Sequence, residues 1–365
     1  MPAQVTSYKC PACTAPLRFD AASQMLECDY CGGKYSVEEM ERLAAEAEAK
    51  AAEAFAQEGG SDTDGDWNGE NMRAYNCPSC GAQLLCDAST AASACPYCGN
   101  PAIVPGQFDG TLRPDYIIPF KLSREDALSA LRQHYKKKLL LPRAFSSENH
   151  IQELQGIYVP FWLYGGKADA NASYTATTTY VYETGDYTVT ETKHFDVFRS
   201  GSLSFDKVPA DGSKKMPNDY MDSIEPFDYA ELKPFSTAYM PGFLANKYDE
   251  TAEDCFSRAD SRIKRSALDE LYGTVNGYQT VMVSSEDADF RQDKPQYALL
   301  PVWMLNTRWK GQDYLFAMNG QTGKMVGDLP MDKGRFWGLF AAVTAGGGLL
   351  FSLCGIGQAI ASLFM

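Results

Sequence analysis

Cysteines at fixed spacing are the residues in this chain most able to do chemistry. Cys10 and Cys13 form one Cys-x-x-Cys pair, and Cys28 and Cys31 form another fourteen residues on. Cys77 and Cys80, then Cys95 and Cys98, repeat that spacing at a constant offset of 67. A pair held in a tight turn brings two sulfurs within reach of one tetrahedral ion, and two such turns on neighbouring hairpins complete the shell. A glycine after the second cysteine of a pair, as at Gly32, Gly81 and Gly99, permits the positive φ that such a turn often needs. Four thiolates leave no open position for a substrate, so both sites are expected to hold zinc for structure, two ions in all. Redox pairs or buried thiols are the alternative. The neighbours argue for metal, because they repeat as well: Tyr8 matches Tyr75, Pro11 matches Pro78, Leu17 matches Leu84, and Tyr30 matches Tyr97. That pattern is an internal duplication. Cys86 aligns with Phe19 and reads as an apolar filler, outside the ligand set. A segment of about 30 residues cannot fold on a core of its own, so the metal supplies its folding free energy.

The elements that must carry these pairs follow from length and pattern. The chain has 365 residues, enough for two or three domains, and at 45% hydrophobic it can bury a core. The reading is α+β. Residues 1–36 form the first four-cysteine ribbon, 37–71 a helical and then acidic, disordered linker, and 72–105 the second ribbon. An antiparallel-sheet α+β domain, of two related halves, spans 106–330. A transmembrane anchor covers 335–365. Ser36 and Glu39 are spaced as a capping box ahead of the linker helix. The glycine-rich acidic stretch after it leaves the first ribbon loosely tethered to the second.

Within the larger domain, a helix is expected over 123–140 and a short one over 147–154. Strands follow at 156–164, 170–182, 187–198 and 201–208. A late helix spans 249–271, with strands at 274–284, 296–308, 313–319 and 324–327. The strings VPFWL at 159–163 and LPVWM at 300–304 echo one another, each after a helix and before a meander. Pro160 and Pro301 suggest edge positions or strand starts.

No catalytic constellation emerges. His134, His150 and His194 are scattered, and Cys255 reads as buried structure. The string GQTGK at 320–324 lacks the earlier glycine of a phosphate loop, and Met325 stands where that loop needs Ser or Thr. The formal net charge of -14 disfavours nucleic acid, whose affinity comes largely from lysines and arginines releasing counterions. Eleven cysteines, mostly in Cys-x-x-Cys pairs, indicate metal binding in a reducing compartment. The first residues show neither the basic nor the apolar region of a signal peptide.

From Phe336 to Met365 no residue is charged. As a helix this stretch would be about 45 Å long against a hydrocarbon core of about 30 Å, enough for one tilted span. Trp337 sits at an interfacial position, and Lys333 and Arg335 before it place the N-terminal bulk in the cytoplasm. Arg132, Arg143 and the lysines at 136–138 form a basic cluster. It is either a solvated helix end or a contact for anionic lipid.

The ribbons, together with RPDYIIPF at 113–120, GIYVPFWLY at 156–164, LPVW at 300–303 and NGQTGK at 319–324, resemble bacterial membrane-anchored TFIIB-type double zinc-ribbon proteins. Such proteins occur beside phage-shock-protein-A-like and flotillin-like proteins. The resemblance implies a scaffold or recruitment role in envelope stress, with those proteins and the bilayer as partners. A nucleic-acid or transcription role, and an enzyme with a site in the α+β domain, are the alternatives.

Overall fold

A computed structural model describes residues 8–15, 17–43, 45–46, 112–136, 138–142, 145 and 154–353, and the backbone of 72–76, 83–87 and 104–106. The first ribbon is a three-stranded sheet of β1 (Arg18–Asp20), β2 (Met25–Glu27) and β3 (Lys34–Tyr35). A helix, α1, follows over residues 37–43. The Ser36 hydroxyl accepts from the Glu39 N–H at 3.1 Å, which is the expected cap. Strands β4 (Met72–Asn76), β5 (Gln83–Asp87) and β6 (Val104–Gly106) of the second ribbon region join the large sheet.

That sheet is built from β7 (Tyr116–Ile117), β8 (Gln155–Thr184), β9 (Tyr187–Asp211), β10 (Lys233–Pro234), β11 (Leu244–Asn246), β12 (Thr280–Gln292), β13 (Gln296–Trp309), β14 (Gln312–Asn319) and β15 (Met325–Gly327). Helix α2 is Arg124–Lys136, α3 is Asn218–Ile224, α4 is Ala252–Gly273 and α5 is Lys333–Leu353. At the centre, β8 and β13 pair antiparallel from Leu163 opposite Gln296 to Gln155 opposite Met304. Both faces here are covered. Tyr158, Trp162, Tyr164 and Trp303 enter one core with α2 and α4, while Ile157, Val159, Phe161 and Leu163 enter another with α3. This explains the unbroken apolar run at 157–164, since a strand buried on both faces has no polar side.

The echo between the halves has a structural counterpart. Ser123 and Asp126 cap α2 reciprocally, and Thr251 and Asp254 cap α4 in the same way, 128 positions later. The Trp162 indole donates to the Glu250 carbonyl at 2.9 Å, and the Trp303 indole donates to the Leu122 carbonyl at 3.1 Å. Short strand β11 runs parallel to β8, and short strand β7 runs parallel to β13. Each half therefore places its short strand and helix cap against the central strand of the other half.

The two prolines are not at edges. Pro160 lies where β8 changes neighbour, between β11 (to Tyr158) and β9 (from Phe161). Pro301 lies where β13 changes neighbour, between β7 (to Leu299) and β14 (from Val302). Neither position asks the proline for an N–H, and both carbonyls accept, from Gly212 and Gly320, each at the end of a hairpin. Strand chemistry at 156–182 is also more continuous than expected. Gly166, at φ 148, makes a bulge that carries β8 through to Thr184.

Beyond that bulge, β8 and β9 leave the body as an arm, with β12 along the other side of β8 from Gly166 to Thr177. Eighteen residues past the bulge reach about 60 Å. Ala168, Ala170, Ala172 and Ala176 face α4, whose Ala259, Ile263 and Ala267 are fully buried. Small residues on both surfaces let helix and sheet approach closely. The helix ends at Gly273, and the ring of Tyr272 in its last turn meets Tyr174 at 5.8 Å. Past Thr177, where pairing with β12 ends, only β8 and β9 continue among the described residues, and Tyr180, Val181, Tyr182 and Tyr187 are exposed.

Among the described residues no helix is long and apolar enough to cross a membrane. The described part of the expected anchor is α5, and residues 354–365 lie outside the described residues, as do residues 147–153 of the helix expected at 147–154 and most of the 37–71 linker.

Candidate metal centre

The first ribbon brings all four of its predicted ligands together. The Sγ atoms of Cys10, Cys13, Cys28 and Cys31 lie within 4.8 Å of one another. Cys10 is 3.4 Å from Cys31, and Cys13 is 3.5 Å from Cys28. A tetrahedron of zinc–sulfur bonds of about 2.3 Å has sulfur–sulfur edges of about 3.8 Å, so the cluster is of the right size for one ion. Each pair sits in a hydrogen-bonded turn: the Thr14 N–H donates to the Cys10 carbonyl and the Gly32 N–H to the Cys28 carbonyl, both at 2.8 Å. Gly32 has φ 71, as its type suggests, but the equivalent place in the first turn is Thr14 at φ 60. A β-branched residue there is strained.

The electrostatics are those of a cluster that could hold a cation. The Tyr35 hydroxyl, 3.5 Å from its sulfur, is the leading influence that brings the Cys10 thiol down to about 6. Cys28 is lowered too, first by the Cys31 backbone N–H. At Cys13 the Ala15 backbone N–H favours the thiolate, yet the sulfurs of Cys28, Cys31 and Cys10 together push it up to about 12. Four thiolates this close repel one another unless a positive ion sits among them. Cys10 and Cys28 are buried, while Cys13 and Cys31 face solvent.

The first ribbon is docked on the α+β domain. The Phe19 N–H donates to the Pro241 carbonyl at 3.2 Å, and the Phe19 ring meets Tyr239 at 5.3 Å. The Gln24 amide donates to the Phe120 carbonyl at 2.6 Å. Leu17, Phe19 and Leu26 are buried in one core with the α+β domain. The spacing of the cysteines contained the cluster. The docking rested on Phe19 and Gln24, which carry no motif.

The second predicted set, Cys77, Cys80, Cys95 and Cys98, lies outside the described residues. Cys86 falls in β5, paired with Arg73. Cys255 is buried in α4 as expected; its thiol donates to the Asp211 carbonyl at 3.3 Å, and burial pushes its pKa up to about 11. Lys324 contacts the Glu225 carbonyl, so the 320–324 turn binds its own chain. Sequence reasoning missed an ion-pair cluster at the base of the arm. Asp211 is buried, with Oδ1 accepting from Arg258 at 2.8 Å and Oδ2 unpartnered. Burial raises its pKa against the pull of Arg258.

No model of a known protein family matches the chain, and no solved structure matches it. The uncharacterized protein YdjG of Bacillus subtilis is 35% identical over 344 residues, which cover 94% of this chain and 95% of YdjG. The chain belongs to the YdjG family. The match runs over nearly the full length of both proteins, so membership is of the whole chain and not of a shared ribbon alone.

Proposed function

We propose that the chain is a membrane-anchored scaffold that recruits other proteins to the membrane surface, with zinc as a structural clamp in its ribbons. Helix α5 carries the reading. Its apolar side chains are exposed all round: Trp337, Leu339, Phe340 and Val343 are each about half exposed or more. A helix that is apolar on every side needs an apolar environment, and the uncharged sequence from Phe336 to Met365 has enough residues for one span. Its first turn is tied to the α+β domain, since the Asp332 N–H donates to the Leu140 carbonyl at 2.8 Å and Arg335 donates to the Leu141 carbonyl at 2.8 Å. That junction is next to the exposed Lys136 and Lys138, which suit anionic head groups on the cytoplasmic leaflet.

Cys10, Cys13, Cys28 and Cys31 would hold one zinc, and Cys77, Cys80, Cys95 and Cys98 a second. Bound zinc supplies folding free energy to each ribbon. The side chains shape the turns, bury Leu17 and Leu26, and fix the ribbon against the α+β domain. Phage-shock-protein-A-like or flotillin-like proteins are the proposed cargo.

Flotation with vesicles containing anionic lipid tests the anchor. The full chain is expected to float and a chain ending at residue 332 to stay at the bottom. Equal behaviour of the two would overturn the reading. Co-purification from mild detergent tests recruitment. Metal analysis of reduced protein is expected to give about two zinc per chain.

A further inference from the structure

We propose that the arm is a dimerisation element, in which the outer edge of β9 pairs antiparallel with β9 of a second copy about a two-fold axis at Thr192. The inference is independent of the membrane reading.

The two halves of the sheet differ at their outer strands. In the second half, the outer strand β14 is covered by β15. In the first half, β9 pairs with β8 alone among the described residues, over its whole length. An open edge of this kind is usually blunted by bulges, prolines or like charges. The opposite edge of the arm has such protection: β12 bulges between Val283 and Ser285 and carries Glu286, Asp287 and Asp289. From Tyr187 to Ser200, β9 has neither bulge nor proline, and its charges are of mixed sign.

The hydrogen-bonding groups fall in register for self-pairing. Tyr187 closes a two-residue turn with Thr184, so Tyr187, Val189, Glu191 and Lys193 bond inward to β8. The intervening Thr188, Thr190, Thr192, His194 and Asp196 aim their N–H and C=O groups outward. Two identical strands that pair antiparallel around an axis normal to the sheet keep the same face up, so the axis must pass through a residue position.

The side chains choose which position. With the axis at Thr192, Glu191 of each copy faces Lys193 of the other. Val189 faces Phe195 and Tyr187 faces Val197, on the same face as the ion pairs. An axis at Glu191, Lys193, Asp196 or Arg199 sets like charges against themselves. An axis at Phe195 gives Glu191 to Arg199 but sets Lys193 against Val197. Within one chain Lys193 and Glu191 already approach to 3.7 Å and are half exposed, so both are available to a partner. Tyr187 is 77% exposed, and the pairing would cover it. The two-stranded tip also gains neighbours, and an isolated two-stranded ribbon is marginal in water.

The test uses the full chain in detergent, by sedimentation velocity. The unsubstituted chain is expected to dimerise. Glu191→Lys and Lys193→Glu should each weaken the dimer by roughly tenfold or more, because like charges then face each other twice. The double variant Glu191→Lys, Lys193→Glu should restore it. Thermal melts of the single variants, read by circular dichroism, should be unchanged. Thr192→Cys should give an oxidised, cross-linked dimer beyond that of the unsubstituted chain, since a hydrogen-bonded pair holds its Cα atoms about 5.5 Å apart. Thr190→Cys should not, because its two copies are offset by about 14 Å along the strands. A monomeric chain, a dimer indifferent to the charge swaps, or equal cross-linking at both positions would each overturn the proposal.

Discussion

The two halves of the large sheet share a plan and differ in reach. Each has a short strand, a reciprocally capped helix and a central strand with a proline–x–tryptophan, and each central strand turns back through a hairpin. In the second half the hairpin of β13 and β14 spans fourteen and eight residues and is closed off by β15. In the first half the hairpin of β8 and β9 spans thirty and twenty-five and runs past its helix into solvent. The shared part is held by tryptophans and aromatic stacking that cross between halves. The extended part is held by alternation and backbone pairing. Specificity in the body thus comes from a few deeply placed groups, while in the arm it is spread along the strand and each residue matters little.

The largest effect should come from the crossing aromatic contacts. Phe120, fully buried, meets Trp303 at 5.2 Å, and Tyr248 meets Trp162 at 5.4 Å in the matching place. Phe120→Ala should cost about 3–5 kcal/mol in urea unfolding. Tyr248→Ala should cost less, because Tyr248 is only half-buried. Next is the ion pair between the end of the first hairpin and α4, which has no charged counterpart at the end of the second hairpin among the described residues. Arg258→Ala leaves the buried Asp211 carboxylate without its partner and should cost about 3 kcal/mol, at the low end for a buried pair because Arg258 is one-quarter exposed. Its counterpart at the end of the second hairpin is the neutral Asn319, which donates to the Ile224 carbonyl at 3.0 Å.

That contrast has a pH signature. Burial raises the Asp211 pKa in the folded protein, so the folded state holds this proton more tightly than the unfolded chain does. Its favourable contribution is full below the unfolded carboxylate range and is lost as pH rises through the folded value. Asp211→Asn should remove this slope, so that acidification stabilises the original chain relative to the variant. Smaller still, Trp162→Phe and Trp303→Phe should each cost about 1 kcal/mol by removing a bond to a part-buried carbonyl. Near-equal losses would support the equivalence of the halves, and a gap of several-fold would break it. At the arm tip, Tyr182→Ser should change monomer stability by no more than about 0.5 kcal/mol. A Tyr182 effect as large as that of Phe120 would erase the distinction between body and arm.

Much of this was legible in the sequence. The cysteine spacing contained the first four-cysteine cluster, because four thiols and their turns are local. The strand at 296–308 and the hairpin after it fell within a residue or two of β13 and β14, since alternation and Asn319-Gly320 mark them. The late helix is close to α4 for the same local reasons. The strand expected at 274–284 lies instead over Thr280–Gln292 and takes in the acidic run at 285–289, whose outward side chains are wet. Neither β7 nor β11 was visible, because two or three residues carry no period. The prolines misled for a structural reason: they sit inside central strands, but at the changeover between neighbours. Ribbon docking was hidden because Phe19 and Gln24 meet residues about a hundred or more positions away.

The crosswise exchange of short strands also sets an order of events during synthesis. Strand β7, at Tyr116–Ile117, can pair with β10 but finds its neighbour in the body only when Ala298 and Leu299 exist, and the Leu122 carbonyl beside the α2 cap waits for the Trp303 indole. The first half cannot finish before the second has left the ribosome. Until then Ile117 and Phe120, both destined to be fully buried, face solvent or a chaperone. With its decisive contacts spanning about half the chain, the body should fold late and slowly, as proteins dominated by distant pairings do.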